Sequence, residues 1–284
     1  MTSPEPRSSE AADRRSRSNE AAIGLWDSFP VGSHRSNAEV GSRQFFADVE
    51  AYRYGYETPW IPRIFDFASF SGKKVLEIGV GLGIDAATMC GCGAIYTGID
   101  VTRRHLDLAA KNLEDRGFSG EFIQGDVTET RLPEKFYDVV YSFGVLHHIP
   151  HEDEVLRRIR TLLREDGRLM LAVYSKYSFF NAYMLLRWIL SGSFLNHRLD
   201  AFRSHLAEGS PLESPVTIRI RSKSEVLSTI RKNFGVVRYH KKGFVQRYLP
   251  VIGRFLKPDG LVLGRLGSLF GWYHVFILKV KGPE

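Results

Sequence analysis

The sequence has little cysteine. Cys90 and Cys92 are the only two in 284 residues, which excludes a disulfide framework, and their C-G-C spacing fits neither a zinc site nor a redox pair. Both read as small core or turn residues, and a reducing, cytoplasmic setting is the expectation. No run of about 18 apolar residues occurs, so no membrane-spanning helix is expected. The N-terminus carries no apolar stretch of the signal-peptide kind. Residues 1–20 hold almost no apolar side chains and read as a disordered tail. Arg14, Arg15 and Arg17 are balanced there by Glu5, Glu10, Asp13 and Glu20, so the tail is not a nucleic-acid arm. The net charge of +7 is uneven. Residues 151–284 carry 23 Lys and Arg against 11 Asp and Glu, whereas residues 1–150 carry 16 against 21. A basic C-terminal half suits an anionic acceptor, a membrane surface, nucleic acid or a plain solvated face.

The organising stretch runs from Lys73 to Asp100. Val75, Leu76 and Ile78 form a short apolar run of the kind buried on both faces of a parallel sheet. Gly79, Gly81 and Gly83 follow, then a helix-compatible segment from Ile84 to Cys92, then a second strand over Ile95 to Ile99 ending at Asp100. Glycines there allow a sharp turn and close approach of a ligand, and the helix start offers free N–H groups at the positive end of a dipole. The dinucleotide fingerprint G-x-G-x-x-G/A needs a small third residue. Counting from Gly79 and Gly81 that position is Ile84, which disfavours a dehydrogenase.

With Glu77 ahead of the glycines, the segment reads E-x-G-x-G-x-G and resembles motif I of the class I, Rossmann-like S-adenosylmethionine (SAM)-dependent methyltransferases. The resemblance continues downstream through Asp100, through Gly125-Asp126-Val127, through Phe136 to Ser142, and through L-H-H-I-P from Leu146 to Pro150. It implies a doubly wound, mostly parallel seven-stranded α/β sheet whose last strand runs antiparallel, and SAM as cofactor. It implies further that the Gly79–Gly83 turn meets the methionyl part, Asp100 the ribose hydroxyls and Asp126 the adenine amino group. Val101, Val127, Ser142 and Phe143 adjoin those positions, and Glu77 either meets the methionyl ammonium or accepts bonds from the turn.

Around this core, residues 21–72 form an aromatic, helical N-terminal cap. By analogy with the family, Arg53 and Tyr54 reach toward the methionyl carboxylate, and Tyr56 and Trp60 toward the acceptor. The SAM-binding core covers 73–174, a helical insertion or lid 175–221, and the C-terminal part of the sheet 222–284. Further elements are expected over Thr102 to Arg116 with Thr102 as cap, 120–125, 136–143, His151 to Leu163, Arg168 to Tyr174, Val236 to His240 and Tyr273 to Val280. Ser222 with Glu225 three residues on forms a capping box. Residues 175–215 and 242–271 exceed the minimal fold and are strongly apolar. They either lid a pocket or meet a membrane surface or a second copy of the chain.

Methyl transfer is an in-line displacement at a sulfonium, and a hydroxyl acceptor must also lose its proton. His147 and His148 follow the fourth strand and titrate in the useful range, with His148 favoured as base. A metal site built from these two and His151 is not expected. Tyr174, Tyr177, Phe180 and Arg198 are candidates on the acceptor side. The resulting reading is a methyltransferase acting by O- or C-methylation on a small, fairly apolar or anionic metabolite, with nucleic acid disfavoured. RNA or protein methylation and a non-catalytic binding partner are the alternatives. S-F-G-V after the fourth strand, in place of an N-P-P-Y tetrad, argues against planar amine acceptors.

Overall fold

The computed structural model describes residues 20–282 apart from 22, 150, 214, 215 and 217. The expected N-terminal tail, 1–20, lies outside these but for its last residue. The chain builds one seven-stranded sheet in the order β3-β2-β1-β4-β5-β7-β6. Its strands are β1 (Lys74–Ile78), β2 (Ile95–Asp100), β3 (Glu121–Gln124), β4 (Tyr137–Phe143), β5 (Leu163–Tyr174), β6 (Phe234–Lys242) and β7 (Tyr273–Val280). Only β7 runs against its neighbours; β1 pairs in parallel with both β2 and β4. This is the doubly wound architecture the resemblance implies. The winding direction changes between β1 and β4, and open α/β sheets bind ligands at the carboxyl ends beside such a switch.

Alternate strand residues feed two cores, as a period of two requires. Val75, Val139, Tyr141, Met170 and Ala172 face one side, with helix α3 (Ile84–Gly91) and the N-terminal aromatics Phe65, Phe67 and Phe70. Leu76, Ile78, Val140, Leu169 and Leu171 face the other, beneath α5 (Glu152–Leu162) and α8 (Lys223–Ile230). The capping box at Ser222 and Glu225 is formed in both directions.

Several elements differ from the sequence expectation. The N-terminal segment gives α1 (Arg43–Tyr52), capped by Ser42, and a π turn over Arg53–Glu57. Within the helical cap, the stretch from Ile61 to Phe70 is not one continuous helix. It divides into α2 (Ile61–Ile64) and a 3-10 turn Phe67–Phe70, because Asp66 between them takes a left-handed φ of 52°. Thr102 precedes α4 (Arg103–Asp115), but its hydroxyl makes no capping bond; its backbone N–H donates to Asp100 Oδ1 instead. β5 starts at Leu163, not Arg168, since Leu163 pairs with Tyr137 across a bulge. The insertion after β5 contributes α6 (Phe179–Leu190) and α7 (Leu199–Glu208), and the β6–β7 connection holds α9 (Leu261–Phe270). Among the described residues, no helix is long and apolar enough to cross a membrane.

Gly83 shows why the turn after β1 needs its third glycine. Its φ is +68°, and a Cβ there would stand 2.7 Å from the Ala109 Cβ of α4. Asn112 Nδ2, also on α4, donates to the carbonyls of Leu82 and Gly83 at 3.1 Å each. Gly83→Ala should therefore lower the unfolding free energy by about 1–3 kcal/mol or more, as left-handed strain and a clash combine. A urea titration against the parent chain measures it.

Candidate functional site

The principal cavity, about 280 Å³, opens over the carboxyl ends of β1, β2, β4 and β5. Its floor is the turn after β1. Gly79 holds a φ of +80°, and a Cβ there would enter the Val145 side chain at 2.2 Å, so only glycine fits. Asp100 pins the turn: Oδ2 accepts from the backbone N–H of Val80 at 3.0 Å and of Gly81 at 3.4 Å, and lies 3.3 Å from His105 Nδ1. Burial alone would raise this carboxyl, but the His105 contact and the N–H donors hold it below the usual range. Asp126 faces the same cavity. Its Oδ1 accepts from Thr128 N–H at 2.8 Å and from the Thr128 hydroxyl at 2.6 Å.

The N-terminal wall is held by Asp85, at the first turn of α3. Its carboxylate accepts from Arg53 Nε at 2.8 Å and again from Nη2, and from the hydroxyls of Tyr54 and Tyr141 at 2.6 Å each. Burial opposes the charge, yet Arg53 and the two hydroxyls outweigh it and lower the Asp85 carboxyl. Glu77 behaves oppositely. It is buried, accepts from Tyr96 at 2.6 Å, and is pushed well above its usual range by burial and by the neighbouring Asp85 charge.

The far end of the cavity is made by groups distant in sequence. Glu208, the last residue of α7, sends Oε1 to 3.0 Å from His148 Nε2 and 3.4 Å from His147 Nε2, and accepts from the Tyr174 hydroxyl at 3.1 Å. Burial would raise Glu208, but His148 and His147 draw it down to about 2. Burial and the neighbouring His148 press His147 down to about 4. His147 stacks on Tyr174 with ring centroids 3.8 Å apart, and Tyr174 stacks in turn on Trp272 at 4.4 Å.

A family model described as "Methyltransferase domain" matches residues 75–167. The chain is 37% identical over 121 residues to a "Ubiquinone biosynthesis O-methyltransferase" of Haemophilus ducreyi, covering 40% of this chain and 50% of that protein. It is 29% identical over 184 residues to a "Ubiquinone/menaquinone biosynthesis C-methyltransferase UbiE" of Pseudomonas putida, covering 60% of this chain and 68% of that one. The chain thus spans about half the length of the O-methyltransferases it matches. Among solved structures, the magnesium protoporphyrin IX methyltransferase ChlM of Synechocystis, with bound SAH, superposes with a TM-score of 0.57 at 14% identity, covering 96% of this chain and 100% of that one. The fold is the Rossmann-like methyltransferase fold.

The cavity gathers Arg53, Glu77, Gly79, Gly81, Asp100, Val101, Asp126, Val127, Phe143, His148 and Tyr174 from the sequence candidates. Others stand elsewhere. Gly83 serves helix packing. Ser142 is buried and donates to the Ile78 carbonyl, and Tyr54 is turned to Asp85. His147 is fully buried beside His148. Of the acceptor-side candidates, Tyr56 and Trp60 line a separate small cavity, and Phe180 packs edge-on against Trp272 in the core. Tyr177 is exposed, and Arg198 is a surface residue paired with Asp200. The inserted segment reaches the cavity through Ala207 and Glu208, while Leu186, Ile189 and Leu190 of α6 face outward. Ile84, the bulky residue at the third dinucleotide position, is buried against Phe45 and Phe46 beneath the cap.

Sequence reasoning did not single out Asp85 or Glu208. A lone acid opening an apolar helix, G-I-D-A-A, was a usable sign for Asp85. Nothing local marks Glu208, whose partners His147 and Tyr174 lie 61 and 34 residues away. Arg53→Met should cost about 3–5 kcal/mol at neutral pH by leaving Asp85 buried without its cation. The folded-state carboxyl is depressed, so the parent's advantage is present above about pH 4 and shrinks as pH falls below that. Denaturant titrations of both proteins from pH 7 to 3 measure the difference.

Proposed function

We propose that the chain is a SAM-dependent methyltransferase that methylates an oxygen or carbon of a small, largely apolar, quinone-type acceptor. The observation that carries this reading is the convergence of the pinned glycine turn, Asp100 and Asp126 at one cavity over the β1/β4 switch. The comparisons support it through the match over residues 75–167. The site fits the cofactor on its own chemistry. The turn leaves no room for a Cβ at Gly79, and the two carboxylates suit hydroxyl and amino donors. When bound, SAM supplies a methyl group on a sulfonium, a strong electrophile.

The chain's residues would then hold and orient. The Gly79–Gly81 backbone takes the methionyl portion, with Glu77 below it and Arg53 at the wall. Asp100 accepts from ribose hydroxyls at Oδ1, which meets the Thr102 N–H, while Oδ2 is taken up by the turn and His105. Asp126 accepts from the adenine amino group. Phe143, Tyr174 and Tyr273 give the acceptor end apolar faces against which a flat ring can lie. His148, in contact with Glu208, stands where a hydroxyl acceptor would release its proton.

Two outcomes are expected. Asp100→Ala should weaken SAM binding more than tenfold by calorimetry; an unchanged affinity would remove Asp100 from the cofactor site. His148→Ala should lower kcat about 10²–10⁴-fold on a hydroxyl acceptor with SAM affinity intact, and full turnover would exclude it as the base.

A further inference from the structure

We propose that His147, His148 and Glu208 form a binding site for one divalent transition-metal ion at the acceptor end of the cavity. Each of the three residues offers one ligand atom, and these three atoms lie within 4.8 Å of one another. The oxygen is 3.0 Å from one nitrogen and 3.4 Å from the other. Bonds of about 2.0–2.1 Å place neighbouring donors of a tetrahedral zinc site roughly 3.3 Å apart. The two oxygen–nitrogen separations lie close to that edge.

The cluster is also incomplete without an outside component. Glu208 Oε1 meets both imidazoles and the Tyr174 hydroxyl, whereas Glu208 Oε2 and His147 Nδ1 are buried without a hydrogen-bond partner. No Lys or Arg pairs with this carboxylate among the described residues. Without an ion the two imidazoles are the cationic partners of this buried carboxylate, and a bound ion would take over that role. Tyr174, donating to Glu208, occupies the place of an outer-sphere partner that fixes a ligating carboxylate.

Two imidazoles and one carboxylate select a borderline ion such as Zn²⁺ or Co²⁺ over Mg²⁺ or Ca²⁺, which favour oxygen donors. With three protein ligands, a fourth position remains on the cavity side, where His148, Glu208 and Tyr174 are exposed to it. An acceptor hydroxyl or carbonyl oxygen could take that position and be polarised there. The binding claim stands apart from the methyltransferase reading; the polarising role rests on it, and with an ion bound it replaces the general-base role of His148, whose Nε2 lone pair the ion would take.

The test is titration of the full chain, stripped with chelator, with Co²⁺ by calorimetry and visible absorption. One equivalent should bind, with ligand-field bands of a four- or five-coordinate site. Glu208→Gln and His147→Ala should each weaken binding about a hundredfold, and Tyr174→Phe about tenfold. Failure of the parent chain to bind Co²⁺ stoichiometrically overturns the proposal. So does unchanged affinity in both Glu208→Gln and His147→Ala, each first shown to keep the parent's circular dichroism. SAM titrations of the same proteins are scored separately, so loss of the metal claim and loss of the methyltransferase reading are distinguishable.

Discussion

The cavity depends on one buried carboxylate. Asp85 receives the Arg53 guanidinium and the Tyr54 hydroxyl from the N-terminal segment, and the Tyr141 hydroxyl from β4. Four donors on two oxygens offset the cost of burying the charge, which no single partner would. The result joins cap, helix and central strand at one point. Other bonds, such as Arg116 Nη2 to Glu50 Oε2 at 2.8 Å, tie the residues before β1 to α4, and Asp85 ties them at the cavity wall itself. The same charge acts on Glu77, whose carboxyl it helps to push upward. Two acids lining the cavity are thereby driven apart in protonation, one held as the anion and one favoured as the neutral acid.

At the opposite end the inserted helices do comparable work. The minimal doubly wound sheet would leave the edge beyond β4 and β5 open. α7 closes it and delivers Glu208 to the His147–His148 pair and to Tyr174. The stack from His147 through Tyr174 to Trp272 then extends a rigid aromatic wall back into the core. The insertion therefore shapes that end of the cavity through Ala207 and Glu208, while Leu186, Ile189 and Leu190 on the outward face of α6 do not line it.

How much of this was legible beforehand follows from what each feature depends on. The strand–turn–helix at Lys74–Gly91 and the capping box at Ser222 are local patterns, and the sequence shows them directly, whereas the antiparallel last strand followed from the resemblance. Glu77, Gly79, Asp100 and Asp126 occupy places fixed by the fold, so they could be located once the strands were ordered. The acceptor side was harder. Tyr177 and Phe180 lie on the same apolar stretch, yet Tyr177 precedes the N-cap of α6 and is exposed, while Phe180 in the first turn of α6 packs into the core. Trp60 looks like a cap residue and is buried at 2% exposure behind a separate small cavity. Glu208 required knowledge of where α7 returns to the sheet, and no local spacing carries that.

The central claim is that the cavity over the β1/β4 switch is built for SAM and not for a dinucleotide. The most direct measurement is calorimetric titration of the full chain with SAM and, separately, with NADH. The account predicts saturable one-to-one binding of SAM and no binding of NADH at the same concentrations. Binding of NADH with no response to SAM would contradict it, and would mean that Ile84 does not exclude the dinucleotide as its bulk at that turn implies.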